Sequence, residues 1–208
     1  MDQEQVWDIV ASGWKKLKTA PIEEAVNFLR GKKGKALDLA CGSGRNFTKI
    51  NGIIYAVDFS EKMLKHAEKY AKEEDIKVIT KKARAERLPF QDNFFDSAIY
   101  IASLHCIEGK KNRKKSLQEL YRVLKSKATA LITVWDKDQP RFRKSKKDIM
   151  LAWRIGEKKY MRYYYLYDKE EFIALLKEVG FKIVKVVDKD TPQGFYSKRN
   201  ILAYLQKP

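Results

Sequence analysis

The sequence predicts an α/β fold, a mainly parallel sheet with helices on both faces, and three observations predict it. Short apolar runs alternate with polar-faced helical segments from residue 36 onward, the pattern of successive β–α units. The first run feeds directly into a turn of small residues and glycines, ALDLACGSGRN at 36–46, where a backbone can lie against a ligand. No internal repeat or composition break divides the 208 residues, so the chain reads as a single domain, 1–208, large enough to bury a substantial core.

Each element follows in order. Residues 1–34 read as an N-terminal helical cap, DQEQVWDIVASGWKK and then PIEEAVNFLR with Pro21 at a first-turn position, broken by GKKGK. Strands are expected at 36–40, 53–57, 76–79, 97–101 and 128–135. The pattern then stops, and 136–160 reads as a basic insertion loop, long enough to imply a function. A helix at 169–179 closes on Gly180. Asp168 and Glu171 have capping-box spacing at its start, and Tyr167 can staple onto Phe172. Strands at 181–187 and 201–205, separated by a loop containing TPQG, bring the expected total to seven.

Composition narrows the class. A 44% hydrophobic and 12% aromatic chain folds as a globule rather than staying disordered. No apolar run approaches the ~20 residues of a membrane helix, and the N-terminus lacks a signal-peptide pattern, so a soluble cytoplasmic protein is expected. Cys41 and Cys106 have no CxxC partner, which argues against a zinc site and a disulfide framework and makes both core or pocket-wall residues. The net charge of +17 is clustered at KKLK (15–18), KKNRKK (110–115), RFRKSKK (141–147) and KKYMR (158–162). Such a field attracts polyanions, nucleic acid first and an acidic membrane surface second. A heat-adapted lysine-rich surface is the bland alternative, but its lysines are usually matched by glutamates.

The 36–46 turn lacks the third glycine of a dinucleotide fingerprint, since Phe47 stands there. The second strand ends in YAVDFS, with Asp58 placed to accept hydrogen bonds from a ribose diol. Together with RAERLPFQDNFFDSAIYIASLHCI (84–107) and QELYRVLKSKATALITVW (118–135), these features resemble the class I S-adenosylmethionine-dependent methyltransferases. The resemblance implies their Rossmann-like fold, S-adenosylmethionine as cofactor, and a site made of Asp38, Ala40, Gly42, Gly44, Asp58, Phe59, Ala85 and Ile101. Asp38 and the Gly42/Gly44 turn would hold the methionine portion, Asp58 the ribose, and the main chain at Ala85 the adenine. Arg84 departs from the family, which often has an acidic residue there.

The methyl acceptor is suggested by features outside that site. Trp7-Asp8, Trp14, Pro21, His105 after the fourth strand, Val134-Trp135 after the fifth and the run RYYYLY at 162–167 resemble the transfer-RNA wobble-uridine methyltransferases that esterify 5-carboxymethyluridine. Lys18 replaces an expected arginine, and Tyr165 an expected histidine. The resemblance implies Arg162, His105 and Lys18 as the groups that anchor the acceptor, with Asp8, Trp14, Trp135, Tyr164 and Tyr165 contacting substrate. It also implies transfer RNA as one partner and a small zinc-binding activator protein as another. The activator would form a heterodimer along the third strand, DIKVITKKA, and would hold any zinc. Two other readings stay open: a methyltransferase for quinone-precursor or lipid-like small molecules, and an RNA-binding fold that has lost catalysis, which Arg84 favours.

Overall fold

A computed structural model describes residues 1–17, 19–191 and 194–208. Its helices are α1 Gln3–Leu17, α2 Glu23–Leu29, α3 Glu61–Glu73, α4 Lys110–Val123 and α5 Lys169–Val179. The strands are β1 Lys33–Leu39, β2 Asn51–Asp58, β3 Val78–Lys82, β4 Phe95–Ile101, β5 Leu124–Trp135, β6 Asp148–Ile155, β7 Lys158–Tyr165, β8 Lys182–Val187 and β9 Asn200–Gln206. Seven of them form one sheet in the order β3-β2-β1-β4-β5-β9-β8, and β6 pairs with β7 alone. The pairings among β1 to β5 are parallel, while β9 runs antiparallel to β5 and β8. The expected α/β architecture with a mainly parallel seven-stranded sheet is therefore present.

Strand periodicity divides the core between the two faces. Leu37, Leu39, Val57, Ala98, Tyr100 and Ile132 pack with Leu117 and Leu120 of α4 and Phe172 and Leu176 of α5. Ala36, Ile54, Ala56, Ile99 and Leu131 pack with Ala25 and Leu29 of α2 and Leu64, Ala67 and Ala71 of α3. With both faces covered, these strands read as almost continuous apolar runs. Each fully buried leucine or isoleucine contributes about 1.5–3 kcal/mol relative to exposure.

The first crossover departs from strict alternation, because residues 40–50 turn without a helix between β1 and β2. Gly44 makes that turn possible: its φ is +81°, and a Cβ there would lie 2.6 Å from the Phe47 ring. Phe47, standing where a third glycine would allow a close helix approach, is instead buried beneath the turn.

Three expectations are corrected. Pro21 lies ahead of α2 rather than in its first turn, since the helix begins at Glu23 with Ile22 as its cap. The 136–160 stretch is not all loop: from Asp148 it forms a hairpin that turns at Gly156-Glu157. Ile149, Leu151 and Trp153 do alternate inward, but Met150 and Ala152 on the exposed face blur the two-residue period. At the start of α5, Asp168 makes no side-chain capping bond. Lys147 takes its carboxylate and that of Glu171 instead, the latter at 2.7 Å. The Tyr167–Phe172 contact does form, with ring centroids 5.5 Å apart.

Candidate active site

A cavity of about 370 Å³ opens at the carboxyl ends of β1, β2 and β4, the switch point of the sheet where ligands of open α/β folds bind. Ala40, Gly42, Asp58, Phe59, Ala85 and Ile101 line it, as the sequence suggests for a cofactor. Asp38 and Gly44 are not on its surface; they shape it from beneath. Asp58 is held rigidly, its two oxygens accepting the Gly42 and Ser60 amides, each at 2.9 Å. Burial raises its pKa to about 6 against the opposing pull of those amides. Asp38 is more deeply buried, and desolvation followed by repulsion from Asp58 pushes its carboxyl well above the ordinary range. One of its oxygens, Oδ2, has no hydrogen-bond partner among the described residues.

Helix α1 roofs the cavity. Trp7, Val10, Ala11 and Trp14 recur at helical spacing and pack with Met63 of α3 and the inner face of the hairpin. Gly13 admits this approach, since a Cβ there would touch the Trp153 ring at 3.0 Å. Polar ties hold the helix in place. Glu4 pairs with Lys82 at 3.1 Å and Arg84 at 2.9 Å. Gln3 donates to the Met161 carbonyl and accepts the Tyr163 amide, filling hydrogen-bonding positions along β7 that β6 leaves open. Asp8 accepts the Ser60 hydroxyl and, at 3.4 Å, the Lys62 amide at the start of α3. The unexpected Arg84 is therefore the anchor for a carboxylate brought from α1.

The residues expected to meet the acceptor divide into two groups. Arg162 and Tyr164 face α1, while Tyr163 and Tyr165 face the opposite side, as strand alternation requires. Arg162 is buried, its guanidinium carbon 5.6 Å from the Trp7 ring, 5.2 Å from Trp14, 5.0 Å from Trp153 and 5.4 Å from Tyr164. It donates to the Tyr164 hydroxyl at 2.7 Å, and its Nε has no partner among the described residues. Trp14 lines the cavity, whereas Asp8, His105, Trp135, Tyr164 and Arg162 stand behind its wall. Tyr165, expected to contact substrate, lies on the face away from the cavity: its hydroxyl donates to Glu171 at 2.5 Å, and Arg113 covers its ring at 3.7 Å. Lys18 lies outside the described residues.

His105 is fully buried, with Nδ1 accepting the Trp135 amide at 3.2 Å. Burial lowers its pKa to about 3, so the ring is neutral with its proton on Nε2. It stacks on Trp135 and Tyr164, which are themselves nearly parallel at 4.4 Å. Cys106, the next residue, forms part of the cavity wall, and burial pushes its thiol up to about 12. Sequence reasoning missed Glu4, Arg45 and Trp153. Glu4 carried a signal, sitting one helical turn before Trp7, but its partners are remote in sequence. Trp153 was hidden in the unrecognised hairpin.

The donor set fits S-adenosylmethionine. Asp58 on the wall offers carboxylate oxygens for a diol, Gly42 leaves open space where a Cβ would stand, and behind the wall one buried Asp38 oxygen has no hydrogen-bond partner among the described residues. The comparisons agree. The model of the methyltransferase domain family matches residues 37–132. Protein MJ1123 of Methanocaldococcus jannaschii is 36% identical over 157 residues, 74% of this chain and 67% of that one. The tRNA (carboxymethyluridine(34)-5-O)-methyltransferase of Schizosaccharomyces pombe is 25% identical over 210 residues, covering 87% of this chain and 89% of its own. A Haloferax volcanii methyltransferase, solved with the Trm112 methyltransferase activator, superposes with a TM-score of 0.71 at 15% identity, over all of this chain and 96% of that one. A fold shared with such structures, a cavity at the sheet's switch point and the matching methyltransferase family model converge: the chain belongs to the class I S-adenosylmethionine-dependent methyltransferases.

Proposed function

We propose that this methyltransferase acts on transfer RNA, converting 5-carboxymethyluridine at the wobble position to its methyl ester. Arg162 carries the reading. A guanidinium buried among three indoles and a phenol, with no carboxylate within 4.0 Å among the described residues, is costly unless an anion arrives to use it. Two of those rings, Trp7 and Trp14, are also cavity wall. The S. pombe relative bears the name of that reaction.

The chemistry asks little acid–base work of the protein. S-adenosylmethionine supplies a methyl group on a sulfonium, and a carboxylate with an ordinary pKa near 4 is already ionised at pH 7. What remains is positioning. Arg162 orients the carboxylate through one oxygen and leaves the other free to attack, since a tight bidentate pairing would blunt the nucleophile. The indoles exclude water, which favours the reaction of an anion with a sulfonium. His105 acts from behind, holding Trp135 and Tyr164 in register. Lys18 is retained as a candidate second cation for the same carboxylate or its neighbouring phosphate. In the cofactor site, Asp58 would hold the ribose hydroxyls, Asp38 and the Gly42 turn the methionine portion, and the Ala85 main chain the adenine, with Phe59 and Ile101 as further cofactor contacts.

The exposed cations of residues 141–147 and of the hairpin supply phosphate contacts. A small zinc-binding activator pairs with β3, an edge strand whose Ile79 is 39% exposed. The deciding experiment is transfer of labelled methyl from S-adenosylmethionine to bulk transfer RNA, with and without activator, followed by nucleoside analysis. Label in an alkali-labile ester on uridine supports the reading. Label confined to small molecules overturns it in favour of a small-molecule acceptor. No transfer to any acceptor overturns it in favour of an inactive RNA-binding fold.

A further inference from the structure

The main sheet ends in two edges, and both are guarded. β3 is five residues long and finishes in Lys81-Lys82, and β8 carries Lys182 and Lys185 with a register shift against β9. On a chain of net charge +17, such lysines turn away a second copy. The hairpin edge differs. β6 runs for eight residues, DIMLAWRI, with no lysine, no proline and an unbroken register on β7. Beyond β7 it makes no main-chain hydrogen bond with any described residue. The far edge of β7 is capped by Gln3, which bonds the Met161 carbonyl and the Tyr163 amide. Those two residues point their main-chain groups away from β6, so alternation turns those of Arg162 and Tyr164 toward it. Their partners on β6 are Leu151 and Ile149. The open edge therefore presents the amides and carbonyls of Asp148, Met150, Ala152 and Arg154.

The side chains on that edge favour one occupant. Arg154 is exposed, with no ion pair within 4.0 Å among the described residues. Asp148, exposed at the other end of the strand, accepts the Tyr163 hydroxyl on Oδ1, and no described residue engages Oδ2. Between them Met150 is 47% exposed and Ala152 is also exposed, while Met161, opposite Ala152 on β7, is 40% exposed. The row is self-complementary. A second β6 turned antiparallel about Leu151 sets Asp148 opposite Arg154 and Met150 opposite Ala152, each pair occurring twice by symmetry. That register keeps like faces together and matches open main-chain groups with open main-chain groups. We propose that β6 is the interface of a symmetric homodimer, in which two hairpins join into one four-stranded antiparallel sheet centred on Leu151. On its outer face Met161, Ala152 and Met150 of the second copy form an apolar row, flanked by the Asp148–Arg154 pairs. On its inner face Ile149 of the second copy comes beside Trp153, one of the rings around Arg162, so the two roofs brace each other.

Sedimentation velocity from about 1 to about 300 μM protein tests this, at ~0.15 M salt so that repulsion between the cationic copies is screened. The wild-type chain is expected to show a monomer–dimer equilibrium in that range, as a small interface gives. Arg154→Glu and Asp148→Lys each set like charges opposite one another twice, and each should weaken dimerisation about 10- to 100-fold. Mixed in equal amounts, the two variants restore both pairs and should dimerise like the wild type. Leu151→Cys should cross-link on mild oxidation, because the two copies of that position face each other directly. Arg154→Cys should not, since its copies would lie about 20 Å apart along the strands. The wild-type chain, whose Cys41 and Cys106 stand in the cavity wall, is the blank. A wild-type chain that stays monomeric across the range overturns the proposal and leaves the edge to a strand of a different protein. A dimer that Arg154→Glu leaves intact also overturns it, as does a mixture of the folded charge variants that stays monomeric. So does cross-linking through Arg154→Cys in place of Leu151→Cys. If Asp148→Lys fails to fold, Arg154→Glu and the two cysteine variants still decide. None of these readouts involves a methyl acceptor, so the transfer-RNA reading stands or falls separately.

Discussion

At the scale of single residues, burial sets the behaviour of the two groups that matter most. Asp58 has its folded-state pKa raised to about 6 by burial. Below that pH the carboxyl is protonated and loses an acceptor for a ribose hydroxyl. Cofactor affinity is therefore expected to hold above pH 7 and to fall about tenfold per unit as pH drops below 6. Calorimetric titrations between pH 5 and 8 would show the bend, and Asp58→Asn should bind weakly without it. Arg162 gives the opposite kind of prediction. An unpaired buried cation is destabilising, so Arg162→Met should leave the melting temperature unchanged or raise it, by about 2–4 °C per kcal/mol regained. Single-turnover methyl transfer to transfer RNA should fall about 100-fold. A lower melting temperature with unchanged transfer would make Arg162 scaffold. The cofactor residues were legible because the DLACGSG turn and Asp58 lie on consecutive strand ends. The aromatic box was only half legible: Trp7, Trp14 and Tyr164 could be named, but their convergence on Arg162 needs a hairpin that local pattern concealed.

At the scale of elements, α1 and the hairpin form one roof. Three α1 side chains reach three elements of the body: Glu4 the end of β3 and Arg84, Gln3 the open edge of β7, and Asp8 the start of α3. The helix itself was readable from its 3.6-residue apolar period; what it covers was not, because each tie spans 50 residues or more. The Glu4 pairs are partly exposed, and such ion pairs add little to global stability. They control local opening instead. Glu4→Gln is expected to keep the melting temperature within about 2 °C while speeding cofactor release several-fold in stopped-flow displacement. Unchanged release with a lower melting temperature would make Glu4 a stability contact and nothing more. The same structure explains Arg84, which the sequence alone set against catalysis. Its charge is neutralised by a carboxylate that no local pattern places there, so it no longer argues for a dead fold.

At the scale of the whole molecule, the +17 charge is unevenly used. Lys82, Arg84, Arg122 and Lys147 are tied into ion pairs with carboxylates. By contrast, Arg154, Lys158 and Lys159 stand exposed on the hairpin with no ion pair among the described residues. The hairpin also carries Arg162 and Tyr164 on its inner face, so it joins exposed cations near its tip to the proposed acceptor site. Phosphate contacts release counterions, and each lost contact lowers the dependence of log K on log salt by about 0.7–0.9. Replacing Lys158 and Lys159 together by glutamine should therefore reduce the slope for transfer-RNA binding by about 1.4–1.8. Affinity at low salt should fall with it, while S-adenosylmethionine binding stays unchanged because neither lysine lines its cavity. Filter binding across 50–300 mM salt measures the slope, and calorimetry supplies the control. An unaltered slope would move the RNA surface away from the hairpin, to the clusters at 110–115 or 141–147. A parallel loss of cofactor binding would mean the double variant had disturbed the roof, because Lys158 shares the hairpin face that packs on α1.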